Sequence, residues 1–251
     1  MMSLMSFLPG HGDMPPPDKT AFLLDFDGTL VEIAPTPESV KVQAGLLATL
    51  RRLRAKCGNA VAVISGRPID QIDFFLGDVP YAVAGEHGIA VRRSPGGSIV
   101  RANLPAVPSA WLVQADALAA KYPGVRIERK KAAVVLHFRG APDAGPALRE
   151  VADGWVVSDP RFHVQEAKMA WEIRPAGIDK GHAVRDLMKA APFAGRYPVF
   201  IGDDVTDEDG IRAAVALGGI GLRIPRDFTD PAAVRAWLGA LACGGADTWG
   251  A

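Results

Sequence analysis

Ala21-Phe-Leu-Leu-Asp-Phe-Asp-Gly-Thr-Leu30 is the stretch that decides the fold of this chain. An apolar run of strand length ends at Asp25, and such a run predicts a buried strand of a parallel sheet whose carboxyl end meets ligands. Gly28 lets the backbone approach a ligand closely, and Thr29 offers a hydroxyl and an N–H to phosphate oxygens. Because Asp25 and Asp27 repel each other when both are ionised, the pair predicts an oxygen-liganded dication such as Mg²⁺.

An ordinary strand followed by an Asp-Gly turn is the alternative, since such turns are common. Two further segments repeat the same design. Ala60-Val-Ala-Val-Ile64 leads into Ser65-Gly-Arg67, and Pro198-Val-Phe-Ile201 leads into an acidic run, Gly202–Asp209. Carboxylates crowded at the end of an apolar strand need a cation nearby. We predict Ser65 as a phosphate ligand, with an ordinary Ser-Gly turn as the alternative. For the acidic run Gly202–Asp209 the alternative to a metal site is a solvated acidic helix start.

Two basic residues stand at the same predicted edge of the sheet. Lys180 begins a helix after Ile178-Asp179, where the helix dipole disfavours a cation. This position favours a functional role for Lys180 over that of an ordinary surface lysine. Arg67 could bind phosphate or substrate, or pair with a surface carboxylate, and its position favours neither.

The composition excludes several classes of protein. The chain has 251 residues, 49% of them hydrophobic and 22% charged, with Lys+Arg and Asp+Glu balanced at 28 each. This composition predicts a packed globular core and no nucleic-acid or membrane surface. The isolated Cys57 and Cys243 favour a reducing cytoplasm. We also expect no membrane-spanning helix, a flexible tail over residues 1–19 and a monomer.

Strands and helices alternate along most of the chain, which predicts an α/β fold with a Rossmann-like parallel-sheet core built from residues 20–103 and 175–251. A β-rich block over residues 104–174 interrupts this order, and we interpret it as an inserted smaller α/β cap domain. Within the block, the patterns predict helices at Ser109–Tyr122 and Ala147–Ala152, a long strand over Val125–Arg139, and shorter strands at Trp155–Val157, Phe162–Glu166 and Met169–Arg174.

The predicted strands of the inserted block carry many charged groups. They are Glu128, Arg129, Lys130, Lys131, His137, Arg139 and Glu172. A solvated sheet face explains any one of them, whereas the set as a whole suits a substrate with many hydroxyls. A lone Glu86-His87 pair is more often structural than catalytic. No second His stands at the spacing of a metal ligand, so the sequence does not predict a zinc site.

Five motifs together resemble the trehalose-6-phosphate phosphatases of the haloacid dehalogenase superfamily. They are Asp25–Leu30, Ser65–Arg67, Gly85–Gly88, Trp171–Pro175 with Lys180-Gly181, and Gly202–Asp207, and the resemblance spans Thr20 to Leu241. Two features depart from the family: Gly210, where a bulky residue is usual, and the segment Arg223–Thr229. The resemblance implies a C2-type cap and a Mg²⁺-dependent hydrolysis of a small sugar phosphate.

The resemblance also implies a role for each site residue. Asp25 is the nucleophile and a metal ligand, and Asp27 is the general acid/base whose backbone carbonyl also touches the metal. The other assignments are Asp203 as metal ligand, Asp207 in support of the metal, Ser65 and Lys180 on the transferring phosphoryl group, and Thr29, Arg67, Lys130, His137, Arg139 and Glu172 on the substrate.

Two other functions remain open at this point. A related phosphatase acting on sucrose 6-phosphate or a mannosyl phosphate shares all the core motifs. A catalytically silent sugar-phosphate sensor is the second alternative, and the intact Asp25, Asp27, Ser65, Lys180 and Asp203 argue against it.

Overall fold

The computed structural model describes residues 14–130, 132–244 and Trp249. It divides the chain into two compact units, a larger one of Met1–Ala102 with Ile178–Ala251 and a smaller one of Asn103–Gly177. The smaller unit is inserted between the two halves of the larger one, and its ends lie one and three residues from the positions 104 and 174 that the sequence predicts.

A seven-stranded sheet forms the centre of the larger unit, in the order β11-β10-β1-β2-β3-β4-β5. The first five strands of that order pair in parallel, and β4 and β5 add an antiparallel edge. These strands are β1 (Thr20–Leu24), β2 (Val61–Ile64), β3 (Ala82–Gly85), β4 (Ala90–Arg92), β5 (Ile99–Arg101), β10 (Tyr197–Gly202) and β11 (Ile220–Arg223). The predicted α/β fold with a parallel-sheet core is therefore confirmed, and the β4–β5 hairpin is an addition that the sequence did not predict.

Helices pack against this sheet in pairs, α1 with α7 and α5 with α6. The helices of the larger unit are α1 (Leu46–Lys56), α2 (Ile69–Leu76), α5 (Lys180–Leu187), α6 (Asp207–Ala216) and α7 (Pro231–Cys243). All five residues of β1 are buried, as a parallel strand covered on both faces must be. Asp179 caps α5 and Asp230 caps α7, each accepting a hydrogen bond from a backbone N–H three residues on.

The parallel pairing aligns the carboxyl ends of four strands at one edge of the sheet. Asp25 directly follows β1, Ser65 follows β2, Glu86 follows β3 and Asp203 follows β10. The four segments that carry the sequence motifs therefore meet at this edge, where open α/β sheets bind their ligands.

The smaller unit has an antiparallel four-stranded sheet in the order β6-β7-β9-β8, with two helices. Its elements are α3 (Ser109–Lys121), β6 (Arg126–Arg129), β7 (Val134–His137), α4 (Gly145–Ser158), β8 (Phe162–Ala167) and β9 (Ala170–Pro175). Two predictions were wrong here. Val125–Arg139 forms a hairpin of two strands, and Trp155–Val157 is the end of α4, because Leu148, Ala152 and Trp155 are buried at helical spacing.

The two faces of this smaller sheet differ in polarity. Trp171 and Ile173 on β9 belong to the hydrophobic cluster that the helices cover. Glu172, between them, points to the other face, where its carboxylate accepts a hydrogen bond from Lys130 at 2.9 Å. One face thus serves packing, and the other presents charged groups.

Part of the predicted N-terminal tail packs on the larger unit. Met14 is buried in its core, Pro17–Lys19 forms a 3₁₀ turn, and the Thr20 hydroxyl donates to the Pro15 carbonyl at 2.9 Å. The prediction of a flexible tail is therefore wrong for residues 14–19, and its remainder, residues 1–13, lies outside the described residues. No helix in the described part of the chain is long and apolar enough to cross a membrane.

Gly210, one of the two departures from the family pattern, has a packing role. A Cβ on this residue of α6 would lie 2.4 Å from the ring of Phe200 on β10. Phe200 is fully buried, so its ring has little room to move. The glycine therefore lets α6 lie close to the sheet.

We expect Gly210→Ala to destabilise the protein by about 1–3 kcal/mol, because the overpacked ring outweighs the usual helix preference for alanine. Gly239→Ala in α7 is the matched control, since nothing lies within 4 Å of the added Cβ, and it should stabilise by about 0.5–1 kcal/mol. Urea denaturation measures both changes. A Gly210→Ala variant as stable as Gly239→Ala would show that the contact with Phe200 is unimportant.

Candidate active site

Lys180 lies at the centre of the charged groups at the carboxyl edge of the larger sheet. Its Nζ donates to Oδ1 of Asp25 at 2.7 Å and to Oδ1 of Asp207 at 2.6 Å, and all three side chains are buried. The contacts join the end of β1 to the first turns of α5 and α6. A buried cation at a helix N-terminus is unfavourable by itself, so these two carboxylates are what make the position tolerable.

Asp207 holds the loop that precedes α6. Its second oxygen, Oδ2, accepts hydrogen bonds from the backbone N–H groups of Asp203 at 3.2 Å and Asp204 at 3.1 Å. A Cβ on Gly202 would lie 2.3 Å from the Asp207 carboxyl carbon, so this position requires a glycine. Asp207 therefore fixes the orientation of the loop that carries Asp203.

Three carboxylates converge at a position that suits a metal ion. Oxygens of Asp25, Asp203 and Asp207 lie within 4.8 Å of one another. Asp203 packs tightly on the first motif, because a Cβ on Gly28 would lie 2.1 Å from its Oδ2, and its Oδ1 accepts a 3.5 Å hydrogen bond from the Thr29 hydroxyl. With Lys180 as the only buried cation in contact with them in the described structure, these all-oxygen donors carry excess negative charge and fit Mg²⁺.

The carboxylates of the cluster have perturbed proton affinities. Burial raises the pKa of Asp25 to about 7, against the opposing charge of Lys180. Burial and the neighbouring Asp207 raise the pKa of Asp203 to about 6. Although burial acts to lower it, the charges of Asp25 and Asp207 raise the pKa of Lys180 above its ordinary value. At neutral pH the metal-free carboxylates are thus costly to ionise, and an added dication would relieve that cost.

Arg67 pairs with Asp27, the second carboxylate of the first motif. Its Nε donates to Oδ2 of Asp27 at 2.5 Å and its Nη2 to Oδ1 at 2.8 Å. The sequence left binding of phosphate or substrate and pairing with a surface carboxylate open for Arg67; its partner in the structure is instead a carboxylate of the first motif. The Asp27 side chain is turned to Arg67 and is not among the three carboxylates that converge.

Ser65 and the Gly85–Gly88 motif are joined through their backbones. Ser65 is buried, and its hydroxyl accepts a hydrogen bond from the Arg67 N–H at 3.1 Å. Glu86 and His87 both adopt left-handed backbone angles, with φ of 54° and 57°, and the His87 N–H donates to the Ser65 carbonyl at 2.9 Å. Two successive residues with such strained backbone angles persist only where the surrounding structure holds the backbone in that conformation. The sequence favours a structural role for Glu86-His87, and its flanking glycines are the signal of the tight backbone path.

In the smaller unit, most of the predicted substrate residues form hydrogen bonds with a charged neighbour. Lys130 bonds to Glu172 at 2.9 Å, and His137 bonds to Glu128 at 2.9 Å. Arg139 follows β7 and is exposed, and Lys131 lies outside the described residues. Gln165 and Arg174, bonded at 2.8 Å, lie on the same face as Glu172 and were missed, although their alternation along β8 and β9 could have shown it.

The raised carboxylate pKa values predict how Mg²⁺ affects stability at different pH. Because the folded state holds protons on Asp25 and Asp203 more tightly than the unfolded chain does, the metal-free protein loses stability as pH rises from about 4 to about 7. At pH 7.5, Mg²⁺ at 100 times its Kd should raise Tm by about 5–10 °C. At pH 5 the rise at the same Mg²⁺ concentration should be less than half as large.

Thermal unfolding at matched ionic strength measures this effect, and Asp203→Asn should reduce the Mg²⁺ response at pH 7.5. An equal rise in Tm at pH 5 and pH 7.5 would contradict the assignment of these carboxylates as the metal site.

Comparisons with known proteins place the chain in a family. The trehalose-phosphatase family model matches residues 23–225. A probable trehalose-phosphate phosphatase of Sinorhizobium fredii is 41% identical over 82% of this chain and 78% of its own length. The trehalose-6-phosphate phosphatase of Escherichia coli is 39% identical over 82% of this chain and 77% of its own length.

Solved structures give the same result for the fold. A trehalose-6-phosphate phosphatase of Aspergillus fumigatus superposes with a TM-score of 0.73, covering 90% of this chain and 93% of that one at 26% identity. A haloalkanoate-superfamily phosphatase of Bacteroides thetaiotaomicron, at 16% identity and a TM-score of 0.55 over 82% of this chain and 85% of its own, supports the fold alone. On the family match and the two bacterial relatives, the chain belongs to the trehalose-phosphatase family.

Proposed function

We propose that this chain hydrolyses trehalose 6-phosphate to trehalose and phosphate through an aspartyl-phosphate on Asp25, with Mg²⁺ as cofactor. The observation that carries the proposal is the buried Asp25 carboxylate, held by Lys180 beside Asp203 and Asp207 at the carboxyl edge of the sheet. The names of the relatives supply the substrate, and the chemistry of these groups supplies the reaction class.

The first step transfers the phosphoryl group to the enzyme. A carboxylate oxygen of Asp25 attacks phosphorus as the bond from phosphorus to the sugar oxygen breaks. Asp27, in its protonated form, gives its proton to that oxygen and becomes the carboxylate, because a sugar alkoxide is a poor leaving group. Lys180, Ser65 and Thr29 supply the cation and the hydroxyl donors for the equatorial phosphoryl oxygens, where charge is spread in the transition state.

The second step returns the enzyme to its starting state. Asp27, now a carboxylate, accepts a proton from water, which attacks phosphorus and displaces Asp25. Asp25, Asp203 and the backbone carbonyl of Asp27 would hold Mg²⁺, with Asp207 in support, and the bound ion would offset the charge of the carboxylates and the phosphoryl group.

We assign recognition of the sugar to the polar face of the smaller sheet. Glu172, Lys130 and His137 lie on strands or a turn of that sheet, and Arg139 follows β7. A carboxylate can accept two sugar hydroxyls at once, and the basic groups can donate to others. Glu172 is the best single candidate, because it is partly exposed on the face that carries charged groups.

A phosphatase for another sugar phosphate is the nearest alternative, since the phosphoryl and metal groups do not distinguish one sugar from another. A protein that only senses a sugar phosphate would not need the buried Asp25–Lys180 pair, so the presence of this pair argues against that alternative. A cytoplasmic location, which the isolated cysteines favour, and a monomeric state complete the proposal.

The test is the rate of phosphate release from trehalose 6-phosphate, sucrose 6-phosphate, glucose 6-phosphate and p-nitrophenyl phosphate. We expect trehalose 6-phosphate to have the highest kcat/KM of the three sugar phosphates. Glu172→Ala should lower that value by about 30- to 1,000-fold, or about 2–4 kcal/mol, because sugar hydroxyls lose their acceptor. Hydrolysis of p-nitrophenyl phosphate, which has no such hydroxyls, should change within a few-fold.

Glu166→Ala is the matched control, because Glu166 is on the neighbouring strand β8 and in register with Trp171, on the opposite face of the sheet. It should leave all four rates nearly unchanged. Equal losses on the sugar and aryl substrates in Glu172→Ala would make Glu172 a structural residue, and a preference for sucrose 6-phosphate would reject the proposed substrate.

A further inference from the structure

The guanidinium of Arg67 is committed to the Asp27 carboxylate, and this contact carries an inference about the reaction. We infer that Arg67 is a positioning residue that fixes the orientation of Asp27 for proton transfer, and is not a ligand of the substrate. The inference rests on the proposed role of Asp27 as general acid and base.

The contact between the two side chains is of the forked type. Two nitrogens of Arg67 meet the two oxygens of Asp27, at 2.5 and 2.8 Å. A forked pair fixes the plane of the carboxylate as well as its position, which a lysine ammonium does not do because it acts as a point charge. Asp27 therefore has a defined rotation about its last side-chain bond, and each of its oxygens keeps a second lone pair on which the transferred proton can be held.

The guanidinium is itself held in place from the sides. It lies 5.7 Å from the ring centre of Phe26 and 5.4 Å from that of Phe75, and its Nη1 donates to Oε1 of Gln71 at 3.2 Å. Gln71 and Phe75 are four residues apart on α2, so they lie on one face of that helix. The two aromatic rings attract the charged guanidinium and restrict its movement.

The backbone of Arg67 is fixed as well. Its N–H donates to the Ser65 hydroxyl at 3.1 Å, and its carbonyl accepts from the Glu86 N–H at 3.0 Å. A Cβ on Gly85 would lie 2.8 Å from that carbonyl oxygen, so the strand ends are closely packed here. Arg67 thus presents its guanidinium from a rigid support.

Exposure decides which member of the pair is available to react. The Arg67 side chain is 11% exposed, whereas that of Asp27 is 35% exposed. The carboxylate is therefore the more accessible member of the pair, and the guanidinium is the more buried one. Because proton transfer requires hydrogen-bond distance and alignment, loosening Asp27 should impair the step that needs a proton and spare the step that does not.

The chain contains a closely matched control pair. Arg92 and Asp73 form a second forked contact in the larger unit, at 2.5 and 2.6 Å, with side-chain exposures of 10% and 36%. Arg92→Lys therefore removes the same type of contact at the same burial, between β4 and α2, from residues that have no assigned part in the reaction. Any effect common to Arg67→Lys and Arg92→Lys reports loss of stability alone.

The experiment measures kcat/KM for trehalose 6-phosphate and for p-nitrophenyl phosphate, whose leaving group needs little protonation. Arg67→Lys should lower the first by about 10- to 100-fold, a part of the ~10²- to 10⁴-fold that acid–base catalysis supplies, and the second by less than about threefold. Inhibition by inorganic phosphate should be unchanged. Arg92→Lys should show no difference between the two substrates.

Equal losses on both substrates, or weakened inhibition by phosphate in Arg67→Lys, would overturn the inference, because either result marks Arg67 as a structural residue or a phosphate ligand. Phe75→Leu, which loosens the guanidinium without removing it, should show the same substrate dependence in a milder form. If Arg67→Lys does not fold, this variant alone decides the matter by the same criterion.

Asp27→Asn separates this inference from the proposed function. We expect Asp27→Asn to lose activity on trehalose 6-phosphate while retaining some activity on the aryl phosphate, and Arg67→Lys to add less than threefold in that background. If Asp27→Asn shows no substrate dependence, the proposed role of Asp27 is wrong. If it does and Arg67→Lys does not, only the positioning role of Arg67 is wrong.

Discussion

The ammonium of Lys180 lies between the carboxylates of Asp25 and Asp207, and the rest of the site is arranged around this contact. Burying three charges is costly, and it is tolerated only when each charge has partners at short distance. The remaining oxygen of Asp207 is met by backbone N–H groups of the next loop, which orients Asp203. One cation thus brings the end of β1, the start of α5 and the loop before α6 to a common position. Because it balances only part of the negative charge, the same contact leaves a place for a dication.

Close approach of these segments explains why several motif positions are glycine. Gly28 has a φ of 78° and leaves room for the Asp203 carboxylate, and Gly202 leaves room for that of Asp207. A Cβ on Gly181 would lie 2.4 Å from the Asp209 carbonyl, where α5 passes α6. The acidic groups can therefore converge because the backbone beside them has no side chains. A substituted glycine at any of these positions would separate groups whose electrostatic interactions depend on distance.

The sequence predicted the parallel core because apolar runs such as Ala60–Ile64 and Pro198–Ile201 are buried on both faces and end in chemically distinctive residues. It also predicted the Asp25, Ser65, Lys180 and Asp203 positions, since the carboxyl ends of parallel strands share an edge. Contacts between segments that are distant in the sequence could not be predicted from the sequence. The Arg67–Asp27 pair, the helical state of Trp155–Val157 and the β4–β5 hairpin depend on tertiary packing, which overrides local pattern.

The central claim is that the Asp25 carboxylate attacks phosphorus, and the most direct measurement is to look for the phosphate on that side chain. The enzyme would be mixed with trehalose 6-phosphate and Mg²⁺, quenched in acid within one turnover, digested and analysed by mass spectrometry. We expect a phosphoryl group on the peptide containing Asp25, attached to that residue and appearing no later than free phosphate. A phosphoryl group on Ser65 or another residue, or release of phosphate with no modified peptide at any time, would contradict it.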